Sequence, residues 1–286
     1  MSQIQRVGIV GCGVMGAGIA EVAARAGLDV RVFAAREVSI VSGRKRLLRS
    51  LDHGVRKGRI TAGERDHAVN GIQFSTDVAD LADRQIIIEA IPEHEPMKID
   101  MFGTLDKVAE VPGVILASTT SSIPIIRLAR ATTRPGQVIG THFFNPAPTL
   151  ELVELTASFL TASDVYEDAR SFIADTLGKV VIKAPDRAGF VVNALLVPYL
   201  LSAIRMVDSG HVTADMIDKG MTLGCAHPVG PLGLADLVGL DTVLSASHVL
   251  YEEFKEPQYS PPPLLLRMVE AGLLGKKSGR GFYRYE

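Results

Sequence analysis

The chain has 286 residues and a formal net charge of −2, with 47% hydrophobic and 22% charged side chains. This is globular composition with material for one large or two smaller cores, and no basic excess points to nucleic acid or an anionic membrane. Cys12 and Cys225 make neither a disulfide framework nor a metal-ligand cluster, so a cytoplasmic protein without a metal site is expected. The N-terminus enters a strand at once, with no signal-peptide pattern, and the apolar runs are too short or too charged to span a membrane.

In chain order, short β-branched runs lie at Val7–Val10, Val30–Phe33, Ile86–Ile88, Val114–Leu116, Val138–Ile139 and Val180–Ile182, with helical stretches between most of them. That alternation predicts βαβ units on a mostly parallel sheet. Residues 37–70 depart from it. They are long, charged and helix-forming, with a glycine-rich turn at Gly58–Gly63, and read as an inserted helical hairpin. Beyond Pro185 the β-branched runs stop. Val192, Leu195, Leu196, Tyr199, Leu200, Ala203 and Val207 repeat at helical spacing, so the chain is expected to divide into residues 1–184 and an all-helical domain, residues 185–286.

Residues 7–18 read VGIVGCGVMGAG, a glycine fingerprint between a strand and a helix. Gly11 permits the tight turn, Gly13 lets backbone approach a pyrophosphate, and Gly16 lets the helix that opens at Val14 and Met15 pack on the strand. The context predicts a Rossmann-type dinucleotide-binding domain. The second strand then ends in Ala34-Ala35-Arg36, where an NAD site carries Asp or Glu on the ribose 2′-OH. A small residue leaves room for a 2′-phosphate and Arg36 can bind one, which favours NADP over NAD. The alternative leaves Arg36 in solvent and gives an NAD ribose to Glu37.

Three segments carry polar residues that a plain core does not need: Ala117–Ser122, Gly140–Pro146 with Glu154 beyond it, and Asp186–Asn193. Ligands collect at the carboxyl ends of the strands of an open α/β sheet. A histidine there, beside a carboxylate, can act as a general base. The plainer alternatives are a structural His142, an exposed Glu154, and Ser121 and Asn193 as helix N-caps.

The stretches VGIVGCGVMGAGIA, IIEAIPE, ASTTSSIPI, THFFNPAP, ELVEL, GFVVNALLVPYL, HPVGPLGLADLVGLD and KKSGRGFY together resemble the L-3-hydroxyacyl-CoA dehydrogenase family, particularly its short bacterial 3-hydroxybutyryl-CoA dehydrogenases. The resemblance spans nearly the whole chain. It implies a nicotinamide cofactor, an acyl-CoA substrate and a homodimer formed by the helical C-terminal domain. It also implies that His142 is the base, Glu154 its acidic partner, and Ser121 and Asn193 the groups that hold the substrate oxygens. Glu93 and Lys98 match positions on the nicotinamide side, and Ser50 and Lys57 match positions that touch CoA. The chain departs from the family at Ala34, usually an acid, and at Thr119, usually Asn. Two other readings remain: a dehydrogenase for a carrier-bound or free hydroxy acid, and a non-catalytic nucleotide-binding protein of the same fold.

Overall fold

The computed structural model describes residues 4–285. The chain divides into two compact units between Arg187 and Ala188. The first holds eight strands: β1 (Arg6–Val10), β2 (Asp29–Phe33), β3 (Ile72–Ser75), β4 (Ile86–Glu89), β5 (Ile115–Ser118), β6 (Val138–Phe143), β7 (Leu152–Thr156) and β8 (Val180–Ala184). They form one sheet in the order β3-β2-β1-β4-β5-β6-β7-β8. Every neighbouring pair is parallel except β6 and β7, which are antiparallel. The helices are α1 (Val14–Arg25), α2 (Glu37–Arg56), α3 (Ala62–Asn70), α4 (Glu95–Val108), α5 (Ile125–Ala129) and α6 (Ser163–Ser171).

The central strands are apolar runs because parallel strands are covered on both faces. Val7, Ile9 and Val10 in β1 and Ile86, Ile87 and Ile88 in β4 are all fully buried. From β1 the chain winds outward to β2 and β3, then returns to place β4 on the other side. The carboxyl ends of β1 and β4 therefore flank the topological switch point, where such sheets bind ligands.

The expected mostly parallel sheet and helical hairpin are both present, the hairpin as α2 and α3. Thr61 starts α3 with a reciprocal cap: its backbone N–H donates to the Glu64 carboxylate at 2.7 Å and its hydroxyl accepts from Glu64 N at 3.2 Å. Two strands, β3 and β7, are additional to the runs read from the sequence. In β3 only Ile72 and Phe74 are apolar, and in β7 Glu154 and Thr156 interrupt the run, so neighbours rather than local pattern make both strands.

The second unit contains α7 (Val192–Asp208), α8 (Ala214–Gly224), α9 (Pro231–Val238), α10 (Leu240–Phe254) and α11 (Pro263–Glu270) around a core that includes Val197, Leu201, Ile204, Leu232, Leu240 and Leu265. Its C-terminal tail is held by two carboxylates. Fully buried Asp236 accepts from Phe282 N at 3.0 Å, Tyr283 N at 2.9 Å and the Tyr285 hydroxyl at 3.0 Å. Asp218 accepts from Leu232 N, Gly233 N and the Tyr283 hydroxyl, each at 2.8 Å, so it caps α9 and ties the tail to it. Burial and the bond to Asp236 push the Tyr285 phenol up to about 12. Among the described residues no single helix is long and apolar enough to cross a membrane.

Candidate active site

At the end of β1 the glycine loop has the shape its spacing predicts. Gly11 sits at φ +96°, and a Cβ there would lie 2.8 Å from the Ala90 carbonyl oxygen. A Cβ on Gly16 would run into the Gly11 carbonyl, whereas one on Gly13 would meet nothing within 4 Å. Gly13 is also the N-cap of α1, with no side chain capping the helix. Backbone N–H groups and the positive end of the α1 dipole therefore border open space beside Val14 and Met15, which fits a dinucleotide pyrophosphate. Gly11 N donates to the Phe33 carbonyl at 2.8 Å, so the loop is tied to the end of β2. Ala34 follows, buried, its N–H donating to the Ser75 carbonyl at 3.0 Å. Arg36 is the exposed N-cap residue of α2.

A buried polar network lies at the carboxyl ends of β4 and β5. Glu89 is fully buried, and its carboxylate accepts from Lys98 Nζ, Ile91 N and Ser118 Oγ, each at 2.7 Å. Lys98 Nζ is also 3.4 Å from Glu93. The Glu93 carboxylate gathers the following loop: Ser121 N donates to it at 2.9 Å, Ser122 N at 3.1 Å and Ser122 Oγ at 2.9 Å, and Thr120 Oγ1 donates to it as well. The Ser121 hydroxyl lies 3.4 Å from the same oxygen. Burial pushes the Glu93 pKa up, but the Lys98 charge and the hydrogen bonds from Thr120, Ser122 and Ser121 outweigh it, and the carboxyl is held below its ordinary value.

His142 lies inside β6, which runs on to Phe143 rather than stopping at Ile139 as the sequence pattern suggested. It is the register partner of Glu154 across the antiparallel β6–β7 pair. Directly opposed side chains share a face of the sheet, and His142 Nδ1 is 2.7 Å from Glu154 Oε2. Glu154 is fully buried and the His142 side chain is 9% exposed. The Phe144 ring packs against the imidazole at 4.5 Å between centroids. Thr119, at the position where the family usually has Asn, accepts from Phe143 N at 3.4 Å, so its hydroxyl links the ends of β5 and β6.

Ser121, His142, Glu154, Glu93 and Lys98 thus belong to one end of one sheet. Asn193 lies in the second unit, in the first turn of α7, whose N-cap is Val191; Asn193 is not the cap itself. Ser121 is not the cap of α5 either: Asp186 accepts from Ile125 N at 2.5 Å and Ile126 N at 3.0 Å. Ser50 and Lys57 lie two turns apart near the end of α2, with Lys57 exposed. The Ser50 hydroxyl faces Glu21, a buried residue of α1 whose carboxyl pKa it helps to lower. Sequence reasoning placed Ser118, Thr120, Ser122 and Asp186 in the polar segments of the site without giving them a role, and it missed Glu89. Glu89 carried one usable signal, an acid ending an otherwise apolar strand.

Fold and site together define a two-unit nicotinamide-dinucleotide-binding oxidoreductase architecture. Residues 6–187 match the family described as 3-hydroxyacyl-CoA dehydrogenase, NAD binding domain, and residues 189–285 match its C-terminal domain. A 3-hydroxybutyryl-CoA dehydrogenase of Mycobacterium tuberculosis is 55% identical over 282 residues, covering 99% of each chain. The crystal structure of M. tuberculosis FadB2 superposes with a TM-score of 0.98 over 100% of both chains at 55% identity. That of (S)-3-hydroxybutyryl-CoA dehydrogenase PaaH1 from Ralstonia eutropha gives 0.93 at 41% identity, covering 99% of this chain and 100% of the other. The chain belongs to the 3-hydroxyacyl-CoA dehydrogenase family.

Proposed function

We propose that this protein interconverts a 3-hydroxyacyl-CoA and its 3-oxo form, with the four-carbon 3-hydroxybutyryl thioester as substrate and His142 as general base. The observation that carries this reading is the buried His142–Glu154 pair at the carboxyl end of a dinucleotide-binding sheet. With Nδ1 held by Glu154, the ring takes the C3 hydroxyl proton on Nε2, and the carboxylate stabilises the imidazolium that forms. Ser121, fixed by the Glu93 clamp, bonds the substrate oxygen and orders the reacting geometry. For Asn193, in the helical domain spanning residues 185–286, the family resemblance supports the same oxygen-holding role. Glu93 and Lys98 border the nicotinamide side, and Ser50 and Lys57 contact CoA. A bound nicotinamide supplies the hydride acceptor or donor.

NADP is the preferred cofactor in this reading. Support comes from the end of β2, where Ala34 leaves no carboxylate to hold a free 2′-OH or to repel a 2′-phosphate. The protein works in the cytoplasm, with Cys12 and Cys225 as free thiols, and as a homodimer through its C-terminal domain.

The test is steady-state turnover of acetoacetyl-CoA with NADPH and with NADH, beside carrier-linked and free acetoacetate. The expected result is turnover of the CoA thioester with a preference for NADPH. Faster turnover of the carrier-linked or free acid contradicts the substrate assignment, and an NADH preference contradicts the cofactor assignment.

A further inference from the structure

We infer that Arg46 is the side chain that binds the 2′-phosphate of NADP, an inference that rests on the NADP preference proposed above. The structural basis is the way α2 lies on the glycine loop. A Cβ on Gly43 would sit 2.6 Å from the Cys12 Cβ and 2.9 Å from the Cys12 carbonyl oxygen, so glycine there lets the helix press directly on the loop. Cys12 Sγ donates to the Ser39 carbonyl at 2.8 Å, a second tie between loop and helix. One turn beyond Gly43, Arg46 Nη1 donates to the Cys12 carbonyl at 3.0 Å.

That bond fixes where the guanidinium stands. Cys12 lies between Gly11 and Gly13, and Gly11 N is bonded to the carbonyl of Phe33, the residue before Ala34. In a dinucleotide fold the adenosine ribose lies between this loop and the end of the second strand, its 2′-oxygen beside the side chain that Ala34 here replaces. Arg46, Cys12, Gly11, Phe33 and Ala34 are therefore one connected patch around that oxygen. The guanidinium keeps further N–H donors after the bond to Cys12, in the planar arrangement that suits a phosphate. Its charge is felt in the loop, where it pulls the Cys12 thiol down against the larger upward push of burial.

Arg36 is the other candidate and is less prepared for the role. Both side chains are exposed, but Arg36, at the start of α2, makes no side-chain hydrogen bond among the described residues, whereas Arg46 is tied to Cys12. Holding it on a phosphate costs side-chain entropy that Arg46 has already lost to Cys12.

The experiment is calorimetric titration of 2′,5′-ADP and of 5′-AMP into the full chain and its Arg46→Gln, Arg46→Lys and Arg36→Gln variants. The unmutated protein should bind 2′,5′-ADP the more tightly. Arg46→Gln should lose roughly ten- to a hundredfold in 2′,5′-ADP affinity, the worth of one charge-assisted bond, while 5′-AMP, which needs only the folded loop, is held as before. Arg36→Gln should lose less. If the unmutated protein prefers 5′-AMP, the NADP reading fails and this inference with it. If it prefers 2′,5′-ADP and Arg46→Gln keeps that preference, only the assignment to Arg46 is overturned. If Arg46→Gln binds neither probe, Arg46→Lys decides: a restored preference for 2′,5′-ADP supports the assignment, and equal binding of the two probes overturns it.

Discussion

His142 and Glu154 face one another across β6 and β7 as register partners, with Nδ1 and Oε2 2.7 Å apart. The pairing follows from strand direction. Among the described residues β6 and β7 are the one antiparallel pair in the sheet, and the antiparallel register sets residues 142 and 154 directly opposite on the same face. The carboxylate is fully buried, so its worth to the imidazolium is not diluted by water. Glu154→Gln should therefore lower kcat by at least about tenfold while leaving KM for the thioester nearly unchanged, since the amide keeps the ring in place but removes the charge. An unchanged kcat in a folded variant would show that the carboxylate contributes only packing.

Glu21 supplies a pH prediction. It is 2% exposed on α1, and burial raises its pKa by more than the Ser50 hydrogen bond and the charges of Arg25 and Lys179 lower it. One of its carboxylate oxygens has no hydrogen-bond partner among the described residues. A carboxyl whose folded pKa is raised favours the fold while protonated, and that contribution is lost as pH rises through the folded value. Glu21→Gln, neutral at every pH, should therefore raise the melting temperature at pH 7 and do little below the ordinary glutamate value of 4.5. An equal shift at both pH values would contradict the account.

Much of the first unit could be read from local pattern. The glycine spacing, the β-branched runs and the charged hairpin each carry a short-range signal, and all three appear where they were expected. The relationships that build the site are long-range. Asn145-Pro146 signals a turn, but β7 is short and broken by Glu154, and nothing in its local pattern sets it antiparallel to β6. Likewise Glu93 gathers backbone N–H groups 28 and 29 residues away. Asp186 caps a helix 60 and 61 residues before it. Arg46 reaches the loop across 34 residues. A sequence shows which side chains can accept or donate, but their partners are fixed by topology.

The second unit leads to a prediction about assembly. None of the residues of α8 is buried, although Met216 and Leu223 are 61% and 85% exposed, and Leu195 and Met206 on α7 are 72% and 51% exposed. So much exposed apolar surface on two successive helices of one small unit suits a symmetric interface. Light scattering at micromolar concentration should give twice the chain mass, and Leu223→Arg should shift it toward the single chain. A monomer in the unmutated protein would contradict the dimer.

The central claim is that His142 moves the proton in the reduction and oxidation of a CoA thioester. The most direct measurement is kcat for acetoacetyl-CoA with the unmutated protein and with His142→Ala, together with dinucleotide affinity and melting temperature for each. A positioned base is worth roughly 10²–10⁴ in rate. The account predicts a loss of that size in kcat with cofactor affinity and stability preserved. A folded His142→Ala protein that binds cofactor and turns over at nearly the unmutated rate would contradict it.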